Sequence, residues 1–331
     1  MIAEYRCVVD LGTVRVAVVT DHADLADYLR EFYPVNGHGE VEWTIDARAG
    51  QPVSGMALTP WRVGYQANPA TRQVVIRSSN ARNLAITTRK AVREVLLDYC
   101  EAHRYTMLHA SAVVDERRVI VIVGDTGSGK TTLAMNGTLA AGYRYLANDH
   151  LILYRAAEGL VVTSLPTPIP VKIGTYLDYA EQLDPPWDND GVDLEEYRRM
   201  PRSRCYGHDR RLFYTYRGLG QANPLHIALT DRQVIVVLAG YAPAAVSEGI
   251  PALVDDPMAV LWPHVRFDWV FDPALNTHQL PRAERDRDTY GQDSRRRLAE
   301  LVAGSLVIEW RHHGRLSPLL GWLAHQPGGP R

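Results

Sequence analysis

The chain has 331 residues, 46% of them hydrophobic and 22% charged, with a formal net charge of −2. That length holds one large domain or two ordinary ones, and the near-neutral charge gives no general reason to expect nucleic acid or an anionic membrane as partner. Three scattered cysteines, Cys7, Cys100 and Cys205, make neither a disulfide frame nor a metal cluster, and with no signal-like or membrane-length apolar run the expected address is the cytoplasm.

In chain order, "YRCVVDLGTVRVAVVTD" predicts two short strands around a turn, "ADLADYLREFYP" a short helix, and "WRVGYQANPATRQVVIRSS" two strands joined through "NPAT". Residues 1–82 thus read as a small α+β recognition module. In "NLAITTRKAVREVLLDYCEAH", Ala91, Val95 and Tyr99 recur at helical spacing with Val92 and Leu96 beside them, which predicts a connecting helix over 83–104.

Residues 105–320 read as a second domain and 321–331 as a tail. The domain opens on "LHASAVVDERRVIVIVG", two apolar runs flanking a polar turn, which predicts an antiparallel hairpin. The second strand runs into "GDTGSGKTT", Gly124 to Thr132, and "LAMNGTLAAG" continues as a helix. Strand, glycine loop and helix in that order fit the G-x-x-x-x-G-K-[ST] pattern. Gly124, Gly127 and Gly129 let the backbone turn N–H groups inward, and the helix start adds its positive end to the same point. A nucleoside triphosphate is the expected ligand, held by Gly124, Asp125, Thr126, Gly127, Ser128, Gly129, Lys130, Thr131 and Thr132. Lys130 supplies charge to the β- and γ-phosphates and the Thr131 hydroxyl is suited to Mg²⁺.

Further on, "GYRYLANDHLIL" places Asp149 at the end of an apolar strand, where a carboxylate can orient metal-bound water or accept a hydroxyl proton. "TSLPTPIPVKIG" forces an extended path, followed by Lys172, a candidate for an acidic substrate. "LDPPWDNDGVDLEEYRRMPRSRCYGHDRRLFYTYR" reads as a mobile loop or lid over an acceptor site, with Arg202 and Arg204 among the arginines suited to clamp phosphate or an acidic peptide. The mixed charges of "RAERDRDTYGQDSRRRLAEL" lead into a helix with an exposed face, and no nucleic-acid site is read there.

Three segments in order, "LHASAVV" with His109 at its head, "GDTGSGKTT", and "GYRYLANDHLIL", resemble the catalytic domain of HPr kinase/phosphorylase and its kinase-like relatives. The resemblance is fullest over residues 105–155 and extends loosely to residue 312; the first hundred residues do not resemble the N-terminal domain of those enzymes. It implies an α/β fold whose P-loop core is of HPr kinase type, a mixed sheet with a β-hairpin leading into the phosphate loop.

It also implies an ATP- (or GTP-) and Mg²⁺-dependent kinase with Lys130, Asp149 and His109 as catalytic residues and Thr131 and Asp149 at the metal. Asn148 and Asp149 stand where the family has two aspartates, so Asp149 serves as general base or at the metal, and the other role falls to water, His109 or His150. Relatives in peptide natural-product biosynthesis, lasso peptides among them, imply a serine of a peptide or small protein as acceptor, and the family's hexamers imply a homo-oligomer. Two alternatives stay open: a nucleotide-sensing protein without transfer, and a kinase of a small alcohol or amino acid.

Overall fold

In the computed structural model, the described residues are 3–36, 39–183, 185–189, 191–206, 208–221, 225–242, 246–272 and 285–326. The chain is a mixed α/β protein dividing into two compact units. The first comprises residues 1–106, 222–224 and 266–293, the second residues 107–221, 225–265 and 294–331.

The first unit is built on a seven-stranded sheet in the order β3-β1-β2-β4-β7-β6-β5. Its strands are β1 (Tyr5–Asp10), β2 (Arg15–Thr20), β3 (Val35–Asn36), β4 (Trp43–Ala49), β5 (Ala57–Leu58), β6 (Gly64–Asn68) and β7 (Gln73–Ser78). β1 and β2 form a hairpin, as do β6 and β7, while β4 pairs parallel to both β2 and β7. The strand pairs anticipated in the sequence are therefore present. β4, whose Trp43, Ile45 and Ala47 alternate with half-buried polar residues, joins them into a larger sheet than a small module suggests.

Helix α1 (Leu25–Arg30) and the long helix α2 (Ala81–Ala102) belong to the same unit, and α2 lies along β4 and β7. Asn80 caps α2 by accepting from Asn83 N–H, and Leu84, Ala91, Val92, Val95 and Leu96 form its buried stripe. Residues 266–293, read from sequence as part of the second domain, fall in this unit instead. Arg285 explains why: its guanidinium donates to Glu101 at 2.8 and 3.1 Å and to Asp293 at 3.2 Å, all three buried. The unit also holds α8 (Phe267–Phe271) and the start of α9 (Arg287–Ala303).

The second unit begins with β8 (Thr106–Leu108), β9 (Ala110–Val114), β10 (Arg118–Val123), α3 (Lys130–Ala140) and β11 (Arg144–Ala147). It continues through β12 (Leu151–Ala156), β13 (Gly159–Ser164), β14 (Ile169–Lys172), α4 (Ile173–Asp178), α5 (Leu194–Arg199), α6 (Arg202–Cys205) and β15 (Arg211–Tyr214). Then come β16 (Ile227–Ala228), β17 (Gln233–Tyr241), β18 (Ala252–Leu253), α7 (Pro257–Leu261), β19 (Ser305–His312) and α10 (Ser317–Ala324). The main sheet has the order β11-β9-β10-β17-β19-β18.

β9 and β10 pair antiparallel, Val114 opposite Val119, and Asp115 closes their turn by accepting from the N–H groups of Arg117 and Arg118. On its other side β10 pairs parallel with β17, which pairs parallel with β19. Both faces of β10 are covered, so its five residues Val119 to Val123 are all buried.

The described part of the segment read as a mobile loop or lid forms regular elements and contributes side chains to the core. Within residues 183–217 lie α5, α6 and β15, and Tyr197, Cys205, Leu212, Tyr214 and Tyr216 belong to the hydrophobic cluster that includes Ile120, Ile122 and Leu133. Apolar residues interleaved with the arginines anchor it. The tail also begins later than expected, since α10 continues to Ala324 and residues 327–331 lie outside the described part. Residues 282–284 of the charged run before α9 lie outside it as well. Among the described residues no helix is long and apolar enough to cross a membrane, and all three cysteines are free and buried.

Candidate functional site

The glycine loop leaves the C-terminal end of β10 and enters α3 at Lys130. Gly124, Gly127 and Gly129 have φ of +142°, +87° and +83°, a region costly for other L-residues. Two are also fixed by close approach. A Cβ on Gly124 would stand 2.7 Å from the Ala239 carbonyl oxygen and from Ser128 Oγ; one on Gly129 would stand 2.7 Å from His312 Cε1. Leu133 N–H makes the first helical bond, to Gly129 O at 2.9 Å, so the N–H groups of Lys130, Thr131 and Thr132 have no preceding turn to bond. That is a ready site for an anion.

Lys130 is buried and its ammonium donates to Gly124 O at 2.8 Å and Asp125 O at 3.0 Å, folding back over the loop. Asp125, Thr126 and Gly127 form its exposed crest. Ser128 N–H donates to Asp125 O, while the buried Ser128 Oγ has no hydrogen-bond partner among the described residues. Thr132 is tied to α4 through Thr175 Oγ1 at 3.0 Å.

A second group approaches from the connection between β11 and β12. The Thr131 hydroxyl donates to Asn148 Oδ1 at 3.0 Å, and the Asn148 amide donates through Nδ2 to Asp149 Oδ2 at 3.0 Å. Asn148 is fully buried and further held by two tyrosines: Tyr145 Oη donates to its Oδ1 at 3.0 Å, and Tyr216 Oη accepts from its backbone N–H at 3.1 Å. Asp149 has φ of +57°, a left-handed turn between the two strands. Its carboxylate faces His109 at the entrance of β9, with His109 Nε2 3.5 Å from Asp149 Oδ1. Lys130 and Thr131, Asn148 and Asp149, and His109 thus come from three separate stretches of sequence, and the fold brings them into one cluster.

Burial pushes the Asp149 carboxyl up, but the hydrogen bond from His109 and the positive fields of His150, His109 and Lys130 outweigh it and hold the group below the usual carboxylate range. The neighbouring phenols move the other way. Burial drives Tyr145 and Tyr216 well above an ordinary tyrosine, with Asp149 adding to both effects. They are protonated at neutral pH and act as fixed donors or acceptors.

Two histidines not singled out from sequence complete the surroundings. His264 accepts the backbone N–H of His109 through its carbonyl at 2.7 Å, and its ring is held below the usual value by burial, then by His109 and Lys130. His312, at the end of β19, lies against the loop. Its Nδ1 accepts from Gly314 N–H at 2.9 Å, which fixes the proton on Nε2, and Nε2 donates to Ser128 O at 3.0 Å. Neither had a local signal: each lies more than a hundred residues from the loop, in a strand or turn without a motif of its own.

Lys172, Arg202 and Arg204 stand apart from this cluster in character. Lys172 pairs with Asp209 at 3.3 Å and Arg202 with Asp178 at 3.1 Å, all at partly or fully exposed positions, and Arg204 is exposed on α6. Such pairs carry little energy, and the charges of Lys172 and Arg202 are already answered within the chain.

The donor set suits Mg²⁺ better than a transition metal. Thr131 Oγ1 and the Asp149 carboxylate, both bonded to the Asn148 amide, are hard oxygen donors, and Mg²⁺ takes few protein ligands when phosphate oxygens and water supply the rest. Among the described residues no group of three or more His, Cys, Asp or Glu side chains is able to hold a metal ion. Thr131 donates its proton to Asn148, so its oxygen keeps its acceptor capacity. No protein-family model matches this chain, and no curated protein matches it.

Proposed function

We propose that the chain is an ATP- or GTP- and Mg²⁺-dependent kinase of HPr kinase type that transfers the γ-phosphoryl group to a hydroxyl, a serine of a peptide or small protein being the preferred acceptor. The observation that carries this reading is the continuous relay from Thr131 through Asn148 to Asp149, with His109 beside the carboxylate, directly next to a G-x-x-x-x-G-K-T loop. The antiparallel β9–β10 hairpin that delivers the loop supports the HPr kinase type, and free buried cysteines fit a reducing compartment such as the cytoplasm.

In this mechanism the loop N–H groups hold the phosphates and the Lys130 ammonium turns from Gly124 O and Asp125 O onto the β- and γ-oxygens. Thr131 and Asp149 would hold Mg²⁺, which would supply further neutralisation of the phosphate charge. Asp149, ionised at neutral pH, accepts a hydrogen bond from the acceptor hydroxyl and takes its proton as the new P–O bond forms and the bond to the β-phosphate oxygen breaks. A carboxylate of low pKa is a weak base, but phosphoryl transfer depends mainly on position and charge, so orienting the hydroxyl is its main contribution. His109 keeps the carboxylate aimed and ionised.

Serine-containing peptides encoded beside this chain's gene, incubated with the protein, Mg²⁺ and either nucleotide, should gain one phosphate by intact mass. Lys130→Ala should abolish the gain. Asp149→Asn should lower turnover by about two orders of magnitude while leaving nucleotide binding within a few fold. Nucleotide binding without transfer to any peptide, with a small alcohol as acceptor or none, would replace this reading by a small-molecule kinase or a sensor. Asn148, which removes one carboxylate from the family's pair, is the observation that keeps the sensor in view.

A further inference from the structure

The first unit contains a cluster of positive charge that the carboxylates among its described residues do not balance. Arg89, Lys90 and Arg93 lie within about one turn in the middle of α2. Each cation rests on an aromatic face: Arg89 over Phe32 at 4.6 Å, Lys90 over Trp61 at 4.0 Å, and Arg93 over Trp269 at 5.0 Å from the ring centroid. The rings are held in place, Trp61 by donating from Nε1 to Thr87 Oγ1 at 2.8 Å. The backbone under Arg89 is held too, since its carbonyl accepts from Tyr33 Oη at 3.0 Å.

Among the described residues the carboxylate paired with these three cations is Glu94, held by Arg93 Nη2 at 2.6 Å; Asp268 nearby is taken by Arg266, which stacks on Trp269 as well. Arg89 is 7% exposed, yet its Nε, like that of Arg93, is buried without a hydrogen-bond partner among the described residues. Stacking on an aromatic ring offsets only part of the cost of taking a guanidinium out of water. A buried guanidinium of this kind is matched by an oxygen anion.

Lys90 reports the same imbalance. It is pushed down to about 8 by burial, then by Arg93 and Arg89, with Glu94 opposing. The cluster reaches solvent, because Lys90, Trp61 and Trp269 are only partly buried.

We propose that Arg89, Lys90 and Arg93, framed by Phe32, Trp61 and Trp269, form a binding site for an oxyanion, a carboxylate or phosphate group. Arg89 supplies the planar fork and Lys90 a mobile point charge at the entrance, while Arg93 contributes the nitrogens that Glu94 leaves unused. Nothing in this site depends on the glycine loop of the second unit.

The chain has three lysines, Lys90, Lys130 and Lys172, so reductive ¹³C-methylation of the intact protein gives three lysine signals for NMR, with Lys90→Arg identifying the one that matters. At constant ionic strength set with chloride, inorganic phosphate and tetraglutamate are titrated separately. The expected result is a saturable shift of the Lys90 signal with at least one probe and a rise of its titration midpoint by about one unit, tenfold in proton affinity. A response to phosphate alone assigns a phosphate source, and a response to tetraglutamate alone an acidic peptide. Because the Lys130 signal is read separately, phosphate on the glycine loop is not mistaken for this site. Arg89→Gln should weaken the response at least tenfold. Lys90 unmoved by either probe in the wild-type protein, or moved equally by chloride, would overturn the proposal, and that titration decides even if Arg89→Gln fails to fold.

Discussion

Thr131 gives its hydroxyl proton to Asn148, a neighbour 17 residues along the chain and fully buried. Because the ionised Asp149 carboxylate only accepts, the amide turns Nδ2 toward it, which leaves Oδ1 to accept from both Thr131 and Tyr145. A neutral side chain is therefore wired between a hydroxyl and a carboxylate.

Replacing it tests that wiring. Asn148→Asp keeps the acceptor for Thr131 and Tyr145 but puts a carboxylate oxygen where a donor now faces Asp149 at 3.0 Å. Two like charges at that distance cannot both ionise freely. The variant should lose about 1–3 kcal/mol of stability in chelator and recover more of it than wild type does on adding Mg²⁺ with nucleotide. Thermal melts in both conditions check this, and an equal Mg²⁺ response in the two proteins would sink it.

Asp149 governs the acid side of the pH dependence. Burial alone raises its pKa, yet the His109 hydrogen bond and nearby positive charge bring it below the unfolded value. The folded state thus gains stability that is complete above the ordinary carboxylate range and is lost as pH falls through the depressed folded pKa. His109→Gln removes the leading favourable contribution, so the midpoint of Asp149 should move upward, and with it the acid limb of any phosphotransfer rate. Carboxyl-carbon NMR of Asp149 measures the shift directly; an unchanged midpoint refutes the role given to His109.

Gly129 is constrained twice, by φ of +83° and by the His312 ring 2.7 Å from an added Cβ. The left-handed conformation alone costs alanine about 1–2 kcal/mol. Gly129→Ala should lower nucleotide affinity more than tenfold and reduce Tm. Adding His312→Ala should return part of the loss, which a double-mutant cycle reads as a coupling energy.

His312 itself makes an acid-labile contact. Burial first, and the charge of His313 after it, hold the ring down to about 4 against the opposing bond to Ser128 O. The native state therefore favours the neutral ring, and stability falls as pH drops from the ordinary histidine value near 6.5 toward 4. The full loss is at most about 3 kcal/mol by proton linkage. Unfolding followed from pH 7 to pH 4 should show that slope in wild type and a shallower one in His312→Gln.

The glycine loop was legible because its spacing, the β-branched run before it and the helix after it are all contiguous. So was the hairpin, through "DERR" between two apolar runs. Asp149 was found by its position after "YRYLA", but its left-handed backbone and the amide relay through Asn148 were not, since they depend on Tyr216, 68 residues away. The stretch containing Tyr197, Cys205 and Tyr214 read as a lid because arginine, aspartate and proline dominate its composition, while the few residues that bury themselves decide its structure. Arg285 was invisible for a related reason: its partner Glu101 lies 184 positions earlier.

Ser128 and His312 are also 184 residues apart, and the ring of one shapes the backbone beside the other. During synthesis, the segment carrying the G-x-x-x-x-G-K-T pattern emerges long before the strand that braces it. A nascent chain therefore carries the motif without its finished geometry, which is complete only after β19 has joined the sheet and brought His312 against the loop.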